Sequence, residues 1–222
     1  MSITRKLVRT AFLGSMLMMG VAATGCAAPF GVSPGLTEST VKLPGVKVDR
    51  KSIDFGDYQV REIRRGWDKG GGISVGKFSA EKTSRDFSFM VAHGELSMQV
   101  RCSLAEEAAA VGTLVVDSST QVVCDLDPSN ASAPWKALLV QQGNAPSQGR
   151  LQQGTRELQI VPAHGSGHQW SRGYLIREGG DVAAVDVRRK TRAMWLPKAA
   201  EPEVALALAG AEMALVLLEE VK

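Results

Sequence analysis

The segment that most limits how this chain can fold is Val204–Leu218, an almost unbroken run of Ala, Leu, Val and Met. Pro202 suits the first turn of a helix, and Ala and Leu favour helix strongly, so the run is expected to be helical. Only Gly210 and Glu212 interrupt its apolar character, and neither gives it a polar face. A helix that is apolar all round must be surrounded, by its own protein or by lipid. The run is shorter than the roughly 20 residues of a membrane span and carries an internal acid. Enclosure within the domain is therefore the expectation, and docking into a partner is the alternative. Glu212 would then either reach water at the mouth of the enclosure or be paired, for instance by the Arg188-Arg189-Lys190 region.

What could enclose the helix is a sheet. Leu96–Leu104 sets Leu96, Met98, Val100, Cys102 and Leu104 on one face and Ser97, Gln99, Arg101 and Ser103 on the other, the period of a half-buried strand. Val122, Cys124 and Leu126 repeat that alternation. Further strands are expected at Ile53–Ile63, Ile73–Phe78, Phe87–Ala92, Thr113–Val116, Trp135–Gln141, Glu157–Val161, Gly173–Arg177, Val182–Val187 and Ala193–Leu196, with a hairpin turn at Gly179-Gly180. Leu104–Val111, rich in Ala and Glu, reads as one or two helical turns ending before Gly112. Strands that follow one another without regular intervening helices argue for an antiparallel sheet. The expected fold is mainly β, an antiparallel barrel-like sheet around one enclosed hydrophobic C-terminal helix. Closure also removes unpaired sheet edges.

The N-terminus carries a different message. Arg5, Lys6 and Arg9 precede the apolar run Ala11–Ala23, and small residues then lead to Cys26. This is the pattern of a bacterial export signal. Ala23-Thr24-Gly25-Cys26 resembles the lipobox of bacterial lipoproteins, which implies cleavage before Cys26 and its acylation. An ordinary signal-peptidase cut is the alternative. Ala27, rather than Asp, implies by the same resemblance the outer membrane, facing the periplasm. Residues 1–25 are thus expected as signal peptide, 26–40 as lipidated Cys and flexible tether, and 41–222 as one strand-rich domain. Removing the signal leaves 23 basic residues, the 26 of the full chain less those three, against 23 acidic. A neutral domain has no global electrostatic reason to bind nucleic acid. The expected partners are the membrane, through Cys26, and an envelope protein or lipid.

Cys102 and Cys124 remain, both on the apolar faces of their strands. In an oxidising compartment such a pair reads as a disulfide, with two buried free thiols as the alternative.

A strand-rich chain ending in an enclosed apolar helix also resembles the tubby-like fold, which includes LURP-one-related proteins. The likeness rests on Gly173-Tyr174-Leu175-Ile176-Arg177, Asp181-Val182-Ala183-Ala184-Val185-Asp186, Met194-Trp195-Leu196 and Val204–Leu218. It implies a closed antiparallel barrel threaded by the C-terminal helix. It carries over no binding residues.

Chemistry-bearing motifs are few. His164 and His168 flank Gly165-Ser166-Gly167 and are the candidate metal ligands, or a hydrolase loop. A catalytic zinc takes about three protein ligands, and only His93 could add another imidazole, so a solvated loop is the plainer reading. Gly71–Phe78 resembles a phosphate-binding loop until Phe78 replaces the Ser or Thr that would hold magnesium; a glycine-rich hairpin explains it better. Glu106-Glu107 reads as a pair of solvated helix positions. Arg61–Arg65 and Arg188–Arg192 are local basic clusters, either exposed faces or contacts to envelope phosphates. No cofactor is expected. The chain reads as a non-enzymatic binding or scaffolding lipoprotein, with a lipid or small-molecule carrier and a His164–His168 enzyme as alternatives.

Overall fold

A computed structural model describes residues 35–41, 52–66, 69–130, 132–143, 145, 147–164, 171–187 and 192–221. The elements are β1 (Leu36–Val41), β2 (Ser52–Phe55), β3 (Tyr58–Arg65), β4 (Lys69–Val75), β5 (Phe78–His93), β6 (Leu96–Val111) and β7 (Leu114–Pro128). After them come β8 (Trp135–Gln142), β9 (Gln148–Gln153), β10 (Arg156–His164), β11 (Ser171–Arg177), β12 (Asp181–Asp186), β13 (Arg192–Pro197) and α1 (Pro202–Val221).

The strands form one antiparallel sheet in the order β1-β13-β12-β11-β10-β9-β8-β7-β6-β5-β3-β2, with β4 added on β5. From β5 to β13 each strand pairs with its neighbours in sequence, as short turns between strands require. The two ends of the path meet: β1 contacts β2, and a Cβ added at Gly56, in the turn after β2, would sit 2.5 Å from Ser39 Oγ on β1. The sheet is therefore a nearly closed barrel.

Its inner face surrounds α1. Phe87, Phe89 and Val91 of β5, Met98, Val100, Cys102 and Leu104 of β6, and Val122, Cys124 and Leu126 of β7 alternate into the core. Leu158 and Ile160 of β10, Ala183 and Val185 of β12, and Met194 and Leu196 of β13 join the same core. Every residue of α1 from Val204 to Leu218 is buried. The helix touches β5, β6 and β7 on one side and β12 and β13 on another, so sheet wraps it. Gly210 marks close approach. A Cβ there would lie 3.2 Å from both Val100 Cγ2 and Leu126 Cδ2. On β10–β13 the opposite face is also buried, in a smaller cluster of Ala163, Leu175, Ala184, Ala193 and Trp195.

Several expectations change. Leu104–Val111 is strand, not helical turns: it pairs with β5 along one edge and β7 along the other, and that pairing overrides the helix preference of Ala and Glu. Glu106 and Glu107 are accordingly strand residues. Ile53–Ile63 and Ile73–Phe78 each straddle a turn, at Gly56-Asp57 and Gly76-Lys77. Thr113–Val116 is the beginning of the much longer β7. Leu36–Thr40, assigned to the tether, lies in β1 and pairs with β13. The largely polar β9 carried too little alternation to be seen, since only Leu151 points inward.

Cys102 and Cys124 stand directly opposite each other on β6 and β7, their sulfurs 2.08 Å apart and both side chains in the core. That is disulfide bonding distance.

Candidate interaction site

The strands β5, β6 and β7 are too long for the barrel. Their core-facing residues stop at Phe87, Leu104 and Val122, and beyond those points none of their residues is buried. The excess length continues as a flat arm, completed by β4, every residue of which is exposed. The reason is the uninterrupted register: Phe78↔Val111 through His93↔Leu96 runs from arm to barrel without a break. Sheet bonding continues where core packing has ended.

The change from barrel to arm is marked by a bulge in β3 between Arg61 and Arg64, where Glu62 takes a φ of +52°. Beyond the bulge β3 stays paired with β5 as far as Arg65, opposite Phe87, and β4 then takes its place along the outer half of β5. Of the Arg61–Arg65 cluster, Arg64 lies 3.8 Å from Glu62, both exposed. Arg64 and Arg65 also border a depression of about 540 Å³, lined in addition by Arg101, Asp86 and Asp125.

The far end of the arm is apolar. Val75 pairs with Phe78, Phe78 with Val111 and Val111 with Leu114, so four apolar residues stand in one row across four strands. Because side chains alternate along strands, Ile73, Ala80 and Ala109 form the next row on that face. Val115, opposite Ala110, points to the reverse face, and Val116 fills a bulge before Asp117. Ile73 is 74%, Phe78 65%, Leu114 71% and Val115 65% exposed. Single exposed apolar residues are ordinary on a folded protein. A contiguous group confined to two neighbouring turns marks an interaction site. Across 73–80 and 108–116 the sole charged residue is Lys77. Charge returns at Asp117, opposite Ala109, and then where Lys82 meets Glu107 at 2.6 Å, an exposed pair that adds little stability. An open depression of about 870 Å³ lies on this face, bordered by Gly71, Ile73, Lys82 and Glu107. The glycines that resembled a phosphate-binding loop are thus in an edge strand, with Phe78 at its outermost turn.

The other candidates are placed as follows. Cys26 and His168 lie outside the described residues, and His164 ends β10. Among the described residues no three His, Cys, Asp or Glu come together as metal ligands. His93 stacks on Tyr58, 4.8 Å between ring centres, and Tyr58 stacks in turn on Phe55. Glu212 is not at a wet barrel mouth. It is fully buried, and among the described residues its carboxyl oxygens meet no side-chain donor, only the backbone at Ala184. The proposed partners at 188–190 lie outside the described residues. Burial pushes the Glu212 pKa well above the carboxylate range, opposed only in part by the backbone at Ala184. Burial also raises the Tyr58 phenol, with the Glu212 and Asp57 charges adding to it.

Sequence reasoning missed the arm. Its signal was present: Leu114-Val115-Val116 does not alternate, and Ile73 and Val75 face Phe78 across a Gly-Lys turn. Nothing local says that these residues lie outside the barrel. Comparison with protein-family models, curated proteins and solved structures gives no match.

Proposed function

We propose that this chain is a non-enzymatic outer-membrane lipoprotein, held by acylated Cys26 and facing the periplasm, whose barrel is a rigid mount for binding or scaffolding at the envelope. The observation that carries this reading is the pairing of a filled interior with a projecting arm. The helix occupies the barrel from Val204 to Leu218, which favours recognition on the outer surface over carriage in a lumen. The outer end of the arm presents an exposed apolar surface, which supports binding. A tubby-like relationship fits the same architecture and adds no binding residue.

Native mass spectrometry of the chain released from envelopes tests this. A bare chain carrying acyl mass at Cys26, lost with Cys26→Ser, is the expected result. A further mass removable by denaturation would overturn the filled-barrel reading in favour of a carrier or a metal site.

A further inference from the structure

We infer that the arm tip is a lipid-contacting wedge: Val75, Phe78, Val111 and Leu114, flanked by Ile73 and Val115, enter the interfacial layer of a membrane while Lys77 meets lipid phosphate. This deepens the proposed function by naming lipid as the arm's partner, and it stands apart from the acyl anchor.

Three observations select lipid over a second protein surface. First, exposed apolar residues occur on both faces of the tip, with Leu114 on one and, on the other, Val115 in a row with Ala110, Ser79 and Ser74. A flat partner covers one face and leaves the other wet, whereas a lipid layer surrounds both. A second copy paired along the open edge of β4 would likewise leave Phe78 and Leu114 uncovered, because they lie on other strands.

Second, the dimensions agree. The apolar rows from Ile73 to Val75 span about 7 Å of strand, and interfacial elements bury their apolar face by about 5–10 Å. The acids begin at the rear of that band: Asp117 stands opposite Ala109, level with Ile73, and Glu81 and Glu107 follow behind it.

Third, the charge is complementary. Lys77 is the one charged residue at the tip, and basic residues beside an anionic leaflet are attracted to its phosphates. The turns are also prepared for a less polar layer, since the Gly112 N–H donates to the Lys77 carbonyl at 2.6 Å instead of to water.

The test uses the acylated chain as isolated, carrying Phe78→Trp as a reporter, with the parent chain as the baseline for its four native tryptophans. The probe is vesicles of phosphatidylcholine and phosphatidylglycerol in equal parts, with brominated acyl chains. Emission from the added indole is expected to shift to the blue and lose intensity on these vesicles. Adding Val75→Ser and Leu114→Ser should abolish the quenching while the chain still sediments with the vesicles. Lys77→Gln should raise the vesicle concentration for half-quenching about fivefold.

A chain that sediments with vesicles but whose reporter stays unquenched overturns the wedge and leaves the anchor standing. A blue shift that needs no vesicles and grows with protein concentration also overturns it, in favour of self-association. Quenching in a chain without acyl mass supports the wedge and overturns the anchor. A chain that does not sediment at all overturns both.

Discussion

The backbone N–H of Gly112 donates to the carbonyl of Lys77 at 2.6 Å, joining the β6–β7 turn to the β4–β5 turn. Gly76 and Gly112 both hold a φ of +63°, a left-handed conformation that glycine adopts without steric cost. The two hairpins therefore end together, and their apolar residues form one surface.

That surface is separate from the core, so its substitution should leave stability nearly untouched. Val75→Ser with Leu114→Ser is expected to change the free energy of urea unfolding by less than about 0.5 kcal/mol per site. Phe89→Ala, by contrast, removes a fully buried ring and should cost about 3–5 kcal/mol. Equal losses in the two variants would mean that the tip is packed after all.

Glu212 predicts an unusual pH dependence. Its folded pKa lies well above its unfolded value, so between the two the folded state binds the extra proton. Stability is then greatest below the unfolded pKa and declines as pH rises from the ordinary carboxylate value toward the raised folded value. Urea midpoints followed from mildly acidic to neutral pH should fall, and Glu212→Gln should flatten that part of the profile. Glu212→Leu removes a buried carboxyl supported only by the backbone at Ala184 and should add about 1–3 kcal/mol at neutral pH. A profile unchanged by Glu212→Gln would show that the carboxyl is not the titrating group.

The cysteine pair closes a sequence separation of 22 residues. Its reduction should cost roughly 3 kcal/mol in the chain-entropy model. Comparing oxidised and reduced wild type by urea unfolding isolates the bond from the packing that Cys102→Ala or Cys124→Ala would also remove. Equal midpoints would favour two buried thiols over a stabilising bridge.

Some of the fold was legible because it is local. The alternation of Leu96, Met98, Val100, Cys102 and Leu104 dictates a half-buried strand whatever its neighbours, and both cysteines were seen to face the core. Trp135–Gln141 and Ala193–Leu196 match β8 and β13 to within a residue at each end. Where local preference and pairing disagreed, pairing won. Ala105 to Val111 favours helix by composition, yet backbone partners on both sides hold it extended. β1 escaped notice because its partner, β13, is distant in sequence.

By itself the sequence determined that α1 had to be enclosed and that the enclosure would be an antiparallel sheet. An all-apolar helix has no stable place in water, and period-two strands without crossover helices have few other ways to surround it. Only the tertiary structure decided which residues do the surrounding. Phe78 and Leu114 are as apolar as Phe89 and Leu126, but Phe78 is eleven residues from Phe89 and so faces the other side of β5, and the bulge at Val116 puts Leu114 on that side as well. Position along the continuous strands separates them further, because β5–β7 outrun the helix they cover. Hydrogen bonding extends a sheet as far as its register holds, whereas apolar burial extends only as far as there is something to bury against.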